Sequence, residues 1–220
     1  MNKTALLIGA TGLIGSRCLN YLLSDDSYSS IKIITRRSLN NRNEKLIEYV
    51  ADFEQLEKQR EAFVCDDLFC CLGTTLKKAG SRTNFIKVDF EYPYRSAELA
   101  LMSGAKQFLL VSSLGANKNS KTFYLKIKGE VEEAVSKLNF ASVIIFQPSL
   151  LLGKREEVRT GERIGEILGK IFSPILLGGL KKYKPIEADT VAKVMVLCAN
   201  SNYKGINVIQ SDEISMKAGM

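Results

Sequence analysis

Histidine is absent from the 220 residues. A His-containing zinc site and a Ser-His-Asp triad are therefore excluded, and with them much of hydrolase chemistry. Cysteine is present but unorganised. The five thiols, at positions 18, 65, 70, 71 and 198, are odd in number and lack CxxC spacing, which argues against a disulfide framework. Long apolar runs are missing too: the longest late one, residues 171–180, is about half a membrane span and contains Pro174. The opening MNKTALLIGATGLIG has one early Lys and a short apolar run but no small-residue cleavage site, so it does not read as a secretory signal. These absences predict a soluble, cytoplasmic protein with no membrane partner. No repeat, low-complexity tract or linker divides the chain, and its length suits one α/β domain with a small appendage.

What is present is ordinary in bulk: 45% apolar and 25% charged residues. The formal charge of +7 comes from 31 basic against 24 acidic residues. The densest basic groups are only pairs, Arg36-Arg37, Lys77-Lys78 and Lys181-Lys182. With no basic helix and no aromatic-studded basic strand, nucleic acid is not expected as a partner. The balance suits solubility and attraction for phosphorylated small molecules.

Strand-like and helix-like stretches alternate, the signature of a parallel sheet covered on both faces. Strands are predicted at residues 5–9, 31–35, 46–50, 68–72, 108–112, 142–146 and 206–209. Helices are predicted at 13–23, 54–61, 85–102, 122–138 and 190–199. The fold class expected is α/β, a doubly wound, mostly parallel Rossmann sheet, with residues 1–220 as a single domain. After Pro148 the rhythm changes. Residues 156–172 carry Gly161, Gly165 and Gly169, but Glu162, Arg163, Glu166 and Lys170 lie among them, which suits a closely packed soluble helix or a lid better than a membrane dimer motif. Residues 150–185 are expected to form a small substrate cap.

Gly9-Ala-Thr11-Gly12-Leu13-Ile14-Gly15 joins the first strand directly to the first helix. Such a turn needs Gly9 for its tightness, Gly12 for the backbone to approach a pyrophosphate, and Gly15 for close helix–strand packing. The pyrophosphate would sit at the positive end of the helix. No Gly-Lys-Ser/Thr follows, so a kinase-type phosphate loop is excluded. At the end of the second strand an NAD enzyme places an acidic residue on the ribose. This chain has Arg36, Arg37 and Ser38 instead, and guanidinium groups recognise a 2′-phosphate by charge and paired hydrogen bonds. NADP(H) is therefore favoured over NAD(H). Asp52 and Phe53 after the third strand, and Leu72, Gly73 and Thr74 after the fourth, should line the adenine side.

The catalytic candidates are Ser112, Ser113, Tyr124 and Lys128. A Tyr-x-x-x-Lys pattern means little alone, and a second one, Tyr28 with Lys32, straddles the start of a strand and cannot share a helix face. Tyr124 and Lys128 fall on one predicted helix, one turn apart. They follow the strand whose carboxyl end carries Ser112-Ser113, the edge where open α/β sheets bind ligands. A phenol with a reference pKa near 10 is a poor base at neutral pH, and a neighbouring ammonium favours its ionised form. Ser could then hydrogen-bond a substrate oxygen while Tyr moves its proton.

The chain resembles the atypical short-chain dehydrogenase/reductase superfamily and, within it, the Tat-interacting-protein, oxidoreductase-like group. The resemblance rests on Cys71-Leu-Gly-Thr-Thr75, Lys78-Ala-Gly-Ser81, Phe85-Ile-Lys-Val-Asp89, Ser112-Ser113-Leu-Gly-Ala116 and Tyr124-Leu-Lys-Ile-Lys-Gly-Glu130. It implies triad roles for Ser113, Tyr124 and Lys128, with Ser112 the rival serine and a second role for Lys128 on the nicotinamide ribose. Gln147-Pro148-Ser149 stands where the family usually has Arg-Pro-Gly beside the nicotinamide, which assigns Pro148 and Ser149 to the cofactor. The expected function is hydride transfer between NADP(H) and a small carbonyl or hydroxyl substrate. The alternatives are a nucleotide-sugar epimerase/dehydratase relative, against which the short cap argues, and a non-catalytic NADPH-sensing regulator. Beyond a small-molecule substrate, the partner expected is a second copy of this chain or, for the sensing reading, a regulatory protein.

Overall fold

The computed structural model describes residues 3–153 and 178–219. β1 (Lys3–Ile8) leads through the glycine turn into α1 (Gly15–Ser24), and β2 (Tyr28–Thr35) returns beside it. β3 (Leu46–Val50), a 3-10 segment (Phe53–Phe63) and β4 (Asp67–Cys70) follow. Next come α2 (Leu76–Ala79), α3 (Arg82–Ile86), a π turn (Lys87–Glu91) and α4 (Tyr92–Met102). β5 (Gln107–Val111), α5 (Phe123–Ser136) and β6 (Ser142–Gln147) complete the central run. Beyond it are β7 (Leu151–Leu152), a 3-10 turn (Gly178–Tyr183), β8 (Ile186–Glu187), α6 (Ala188–Ala199), β9 (Gly205–Gln210) and α7 (Ser211–Ala218).

The main sheet has seven strands in the order β3-β2-β1-β4-β5-β6-β9. Every pairing is parallel. The chain winds outward from β1 through β2 to β3, then crosses back to place β4 on the other side of β1. That reversal opens a crevice beyond the carboxyl ends of β1 and β4, where such sheets bind ligands. β7 and β8 form a separate parallel pair, with Leu151 opposite Ile186.

Side chains alternate across each strand and supply two apolar layers. On one face Ala5, Leu7, Ile31, Ile33, Leu109 and Ile144 pack with α1 and α6. On the other, Leu6, Ile8, Leu68, Leu110, Val143 and Ile145 pack with α4 and α5. Strands buried on both faces read as continuous apolar runs, which is why the central strands were legible. All five cysteines are free thiols. Among the described residues no helix is long and apolar enough to cross a membrane.

Three expectations change. The helix foreseen at 85–102 starts earlier and is interrupted by the π turn. The stretch at 54–61 is a 3-10 segment with non-helical Gln55 and Gln59, and only Leu56, Ala62 and Phe63 are buried there. The strand foreseen at 68–72 ends at Cys70, although the Cys71 N–H still donates to the Ile8 carbonyl at 2.9 Å. The glycine-spaced stretch at 156–172 and much of the 150–185 cap lie outside the described residues.

Candidate active site

The glycine turn is built backbone against backbone. Gly9 has φ +85, and a Cβ there would lie 2.6 Å from the Cys71 carbonyl carbon. At Gly15 a Cβ would fall 2.0 Å from the Gly9 carbonyl oxygen. The loop closes through Gly12 N–H to Gly9 O at 2.9 Å and Ser16 N–H to Gly12 O at 3.0 Å. α1 has no side-chain cap and no acidic residue in its first turn. Its positive end therefore faces the crevice with Thr11 exposed and Gly12 and Leu13 half-exposed, while Ile14 and Gly15 are buried. A lone negative group of the pyrophosphate kind fits this cradle.

The next strand end presents two cations. Arg36 and Arg37 are exposed immediately beyond β2, and the turn that carries them is tied by Thr35 Oγ1 donating to the Arg37 carbonyl at 2.8 Å. Asp52 caps the 3-10 segment, its Oδ1 accepting from Glu54 N–H at 3.0 Å, and it remains exposed. Phe53 packs on Tyr92 with ring centroids 5.5 Å apart. Leu72, Gly73 and Thr74 follow β4 on the opposite side of the crevice, with Gly73 exposed.

The two serines after β5 have different surroundings. Ser112 is buried, and its hydroxyl donates to Glu132 Oε1. Glu132 also accepts two bonds from Gln147 Nε2, at 3.1 and 3.0 Å, and Gln147 Oε1 in turn accepts from Gln210 Nε2 at 3.1 Å. Burial raises the Glu132 carboxyl above its ordinary value, with Ser112, Gln147 and Lys128 pulling it partly back. Ser113 is half-buried, and its hydroxyl has no hydrogen-bond partner among the described residues.

Tyr124 and Lys128 stand one turn apart on α5. Tyr124 is half-buried with its ring edge-on to Phe85 at 5.8 Å, and its hydroxyl too is unpartnered among the described residues. Lys128 is buried, and its Nζ lies 2.8 Å from Asp89 Oδ1. Burial pushes against the Lys128 charge, but Asp89, Tyr124 and Cys70 outweigh it and hold the ammonium above its ordinary value.

Pro148 and Ser149 lie at the end of β6. The Pro148 carbonyl accepts from Leu114 N–H at 2.9 Å. The Ser149 hydroxyl is already engaged, donating to the Lys184 carbonyl and lying 2.9 Å from Ser211 Oγ. Sequence reading missed Asp89 and Glu132. Neither has a local signature, since the partners of each come from other elements, although Glu132 does continue the one-turn spacing of Tyr124 and Lys128.

Residues 5–137 match the NAD dependent epimerase/dehydratase family. Protein HTATIP2 of Rattus norvegicus is 42% identical over 169 residues, covering 73% of this chain and 68% of that protein. Protein FMP52, mitochondrial, of Candida albicans is 36% identical over 222 residues, covering 98% of this chain and 95% of that protein. Among solved structures, MoeE5 in complex with UDP-glucose and NAD superposes with a TM-score of 0.70 at 15% identity, over 98% of this chain and 81% of that one. The expectation of a cytoplasmic protein is corrected by these relatives: the Candida albicans protein and its counterparts in other fungi are named mitochondrial. A missing secretory cleavage pattern carries no information about a mitochondrial destination, which is why that reading misled.

Proposed function

Because the chain belongs to the NAD-dependent epimerase/dehydratase family, we propose that it is an oxidoreductase that binds NADP(H) and transfers hydride to or from a small carbonyl or hydroxyl compound. One observation carries the reading. The unpartnered hydroxyls of Ser113 and Tyr124 accompany a buried, charged Lys128 at the same sheet edge as the uncapped end of α1.

The nicotinamide supplies the hydride when bound. The rest of the work falls to this chain. The Gly9–Gly15 backbone and the end of α1 hold the pyrophosphate. Arg36 and Arg37 take the 2′-phosphate, Asp52 and Phe53 border the adenine, and Leu72, Gly73 and Thr74 form the opposite wall. Ser113 donates a hydrogen bond to the substrate oxygen, and Tyr124 gives or takes the proton there. Lys128 favours the ionised phenol by its charge and holds the nicotinamide ribose. Pro148 and, through its backbone, Ser149 border the nicotinamide.

Titration with NADPH and NADH tests the cofactor half. NADPH should bind more tightly, and the double variant Arg36→Ala/Arg37→Ala should lose about 10- to 100-fold in NADPH affinity with little change for NADH. Equal affinity of the parent for both would overturn the preference. NADPH oxidation across a panel of aldehydes and ketones tests the enzymatic half. Tight NADPH binding with turnover on none of them would overturn it in favour of a cofactor-sensing role.

A further inference from the structure

Buried thiols ordinarily pack as small hydrophobes. Cys65, Cys70 and Cys198 fit that role, each buried in one of the two apolar layers. Cys18 and Cys71 differ. Cys18 lies in the first turn of α1 and is fully buried. Cys71 follows β4, half-buried, and packs against the same cluster. The two thiols meet: a hydrogen bond with Cys18, together with burial, holds the Cys71 thiol well above its ordinary value. The meeting point adjoins the phosphate cradle. Cys71 N–H donates to the Ile8 carbonyl at 2.9 Å, and a Cβ on Gly9 would lie 2.7 Å from the Cys71 carbonyl oxygen. A Cβ on Gly12 would lie 3.7 Å from that same oxygen. Cys18 N–H donates to the Ile14 carbonyl at 2.8 Å, in the turn that opens the helix.

We propose that Cys18 and Cys71 are a peroxide-oxidisable pair whose disulfide distorts the glycine turn and weakens dinucleotide binding. The proposal rests on the dinucleotide reading above. Hydrogen peroxide is small enough to enter at the half-buried Cys71. The Cys71 sulfur, as thiolate, attacks one peroxide oxygen and breaks the O–O bond, giving a sulfenic acid and water. The Cys18 sulfur then attacks the sulfenic sulfur, forming the S–S bond and releasing the sulfenic oxygen as a second water. Two thiols and one peroxide thus become one disulfide and two waters. With its raised value Cys71 is little ionised at neutral pH, so the first step is slow and the pair answers sustained exposure. The second step is intramolecular and gains from the existing contact. A disulfide holds its sulfurs about 2 Å apart, closer than two unbonded thiols approach. The Cys71 backbone is held by Ile8 on one side and Gly9 on the other, so the shift falls on α1, whose first turn carries the pyrophosphate. Cys70, next in the chain, packs in the opposite layer with Leu6 and Ile8 and cannot compete for Cys18.

The test treats the full-length parent, Cys18→Ala and Cys71→Ala with hydrogen peroxide. Peptide mapping by mass spectrometry reads the bond, and NADPH titration reads the cradle. In the parent, the peptide containing Cys18 should become joined to the one containing Cys71 with the loss of two hydrogens. NADPH affinity should fall about tenfold, within the usual range for coupled sites. Dithiothreitol should reverse both changes. Either variant should keep its NADPH affinity through the same treatment. Absence of the joined peptide would overturn the proposal, as would a joined peptide with unchanged affinity. An equal loss of affinity in Cys18→Ala would also overturn it, because the damage would then need no pair. The two variants test the pair separately, so if one fails to fold the other decides. A parent that binds no dinucleotide before treatment defeats the functional reading instead. The peptide map then still decides whether the pair bonds, and faster hydrogen exchange at the Ser16 and Cys18 amides on oxidation still reports the distortion.

Discussion

Two lysine–aspartate–tyrosine clusters stand at opposite ends of the same sheet. At the amino ends of the strands, Lys3 Nζ lies 2.7 Å from Asp67 Oδ2 and also donates to the Ala199 carbonyl at 3.0 Å. Tyr28, fully buried, donates its hydroxyl to the same Asp67 oxygen at 2.6 Å. Burial and the Asp67 charge drive that phenol far above its ordinary value. At the carboxyl ends, Lys128 meets Asp89 at 2.8 Å, but the Tyr124 hydroxyl has no partner among the described residues. Residue types alone do not separate the two. A closed network, in which the phenol is locked as a donor to a carboxylate, has no proton to exchange with a ligand. The open one leaves its half-buried hydroxyl without a hydrogen-bond partner among the described residues. The other Tyr-x-x-x-Lys pattern fails for a related reason: Lys32 donates to the Glu61 and Val64 carbonyls at 2.6 and 2.9 Å, away from Tyr28.

The sharpest way to break this comparison is to remove each phenol oxygen in turn. Tyr124→Phe should keep NADPH binding and thermal stability but lose about two to four orders of magnitude in turnover on any substrate the panel yields. Tyr28→Phe should do the reverse, leaving turnover intact and costing about 1–3 kcal/mol in urea unfolding, because Asp67 loses a buried donor. If both variants lost stability and neither lost rate, the two clusters would be of one kind.

A smaller contrast lies between adjacent serines. Ser113→Ala should lower turnover about 100-fold, as loss of one donor to a reacting oxygen does, with stability unchanged. Ser112→Ala should keep turnover and lose about 1.5–3 kcal/mol of stability, the scale of a hydrogen bond to a charged group. Kinetics and urea unfolding on the two variants would show which serine works on substrate, and the reverse pattern would exchange their roles.

The smallest effect is a slope with pH. Glu132 holds its proton more tightly folded than unfolded. Between the ordinary carboxylate range and its raised folded value, the native state binds more protons than the unfolded one. Its contribution to stability is therefore fully present at low pH and declines as pH rises through that window. Glu132→Gln should remove the decline. Urea unfolding of parent and variant from pH 4 to 7 checks this, and a constant difference between them would show that Glu132 is not raised.

The sheet, its parallel sense and the glycine turn were legible because each has a local cause: apolar runs, alternation with helices, and a spacing that backbone geometry demands. The rule that ligands meet the carboxyl edge singled out Ser112, Ser113, Tyr124 and Lys128 together, and only the family resemblance preferred Ser113. What escaped is non-local. Asp89 sits in a helical stretch that looks solvated until Thr74 and Lys128, from two other elements, are seen to converge on it. Ser112 could not be told from Ser113 without Glu132, and Ser149 could not be known to hold Lys184 and Ser211. The π turn has no sequence pattern of its own.

The apolar face between α1 and α6 has a consequence for how the protein is made. Cys18, Leu19 and Leu22 pack in the same cluster as Val191, Met195 and Cys198. The opposite face is closed by α4 and α5, which leave the ribosome with the strands they cover. A nascent chain can thus seal one side of its sheet while Leu7, Ile33, Leu109 and Ile144 on the other still lack α6. At about 5–20 residues per second that exposure lasts several seconds. It sets a period in which a chaperone, or another nascent copy, competes with the chain's own late helix for the same surface.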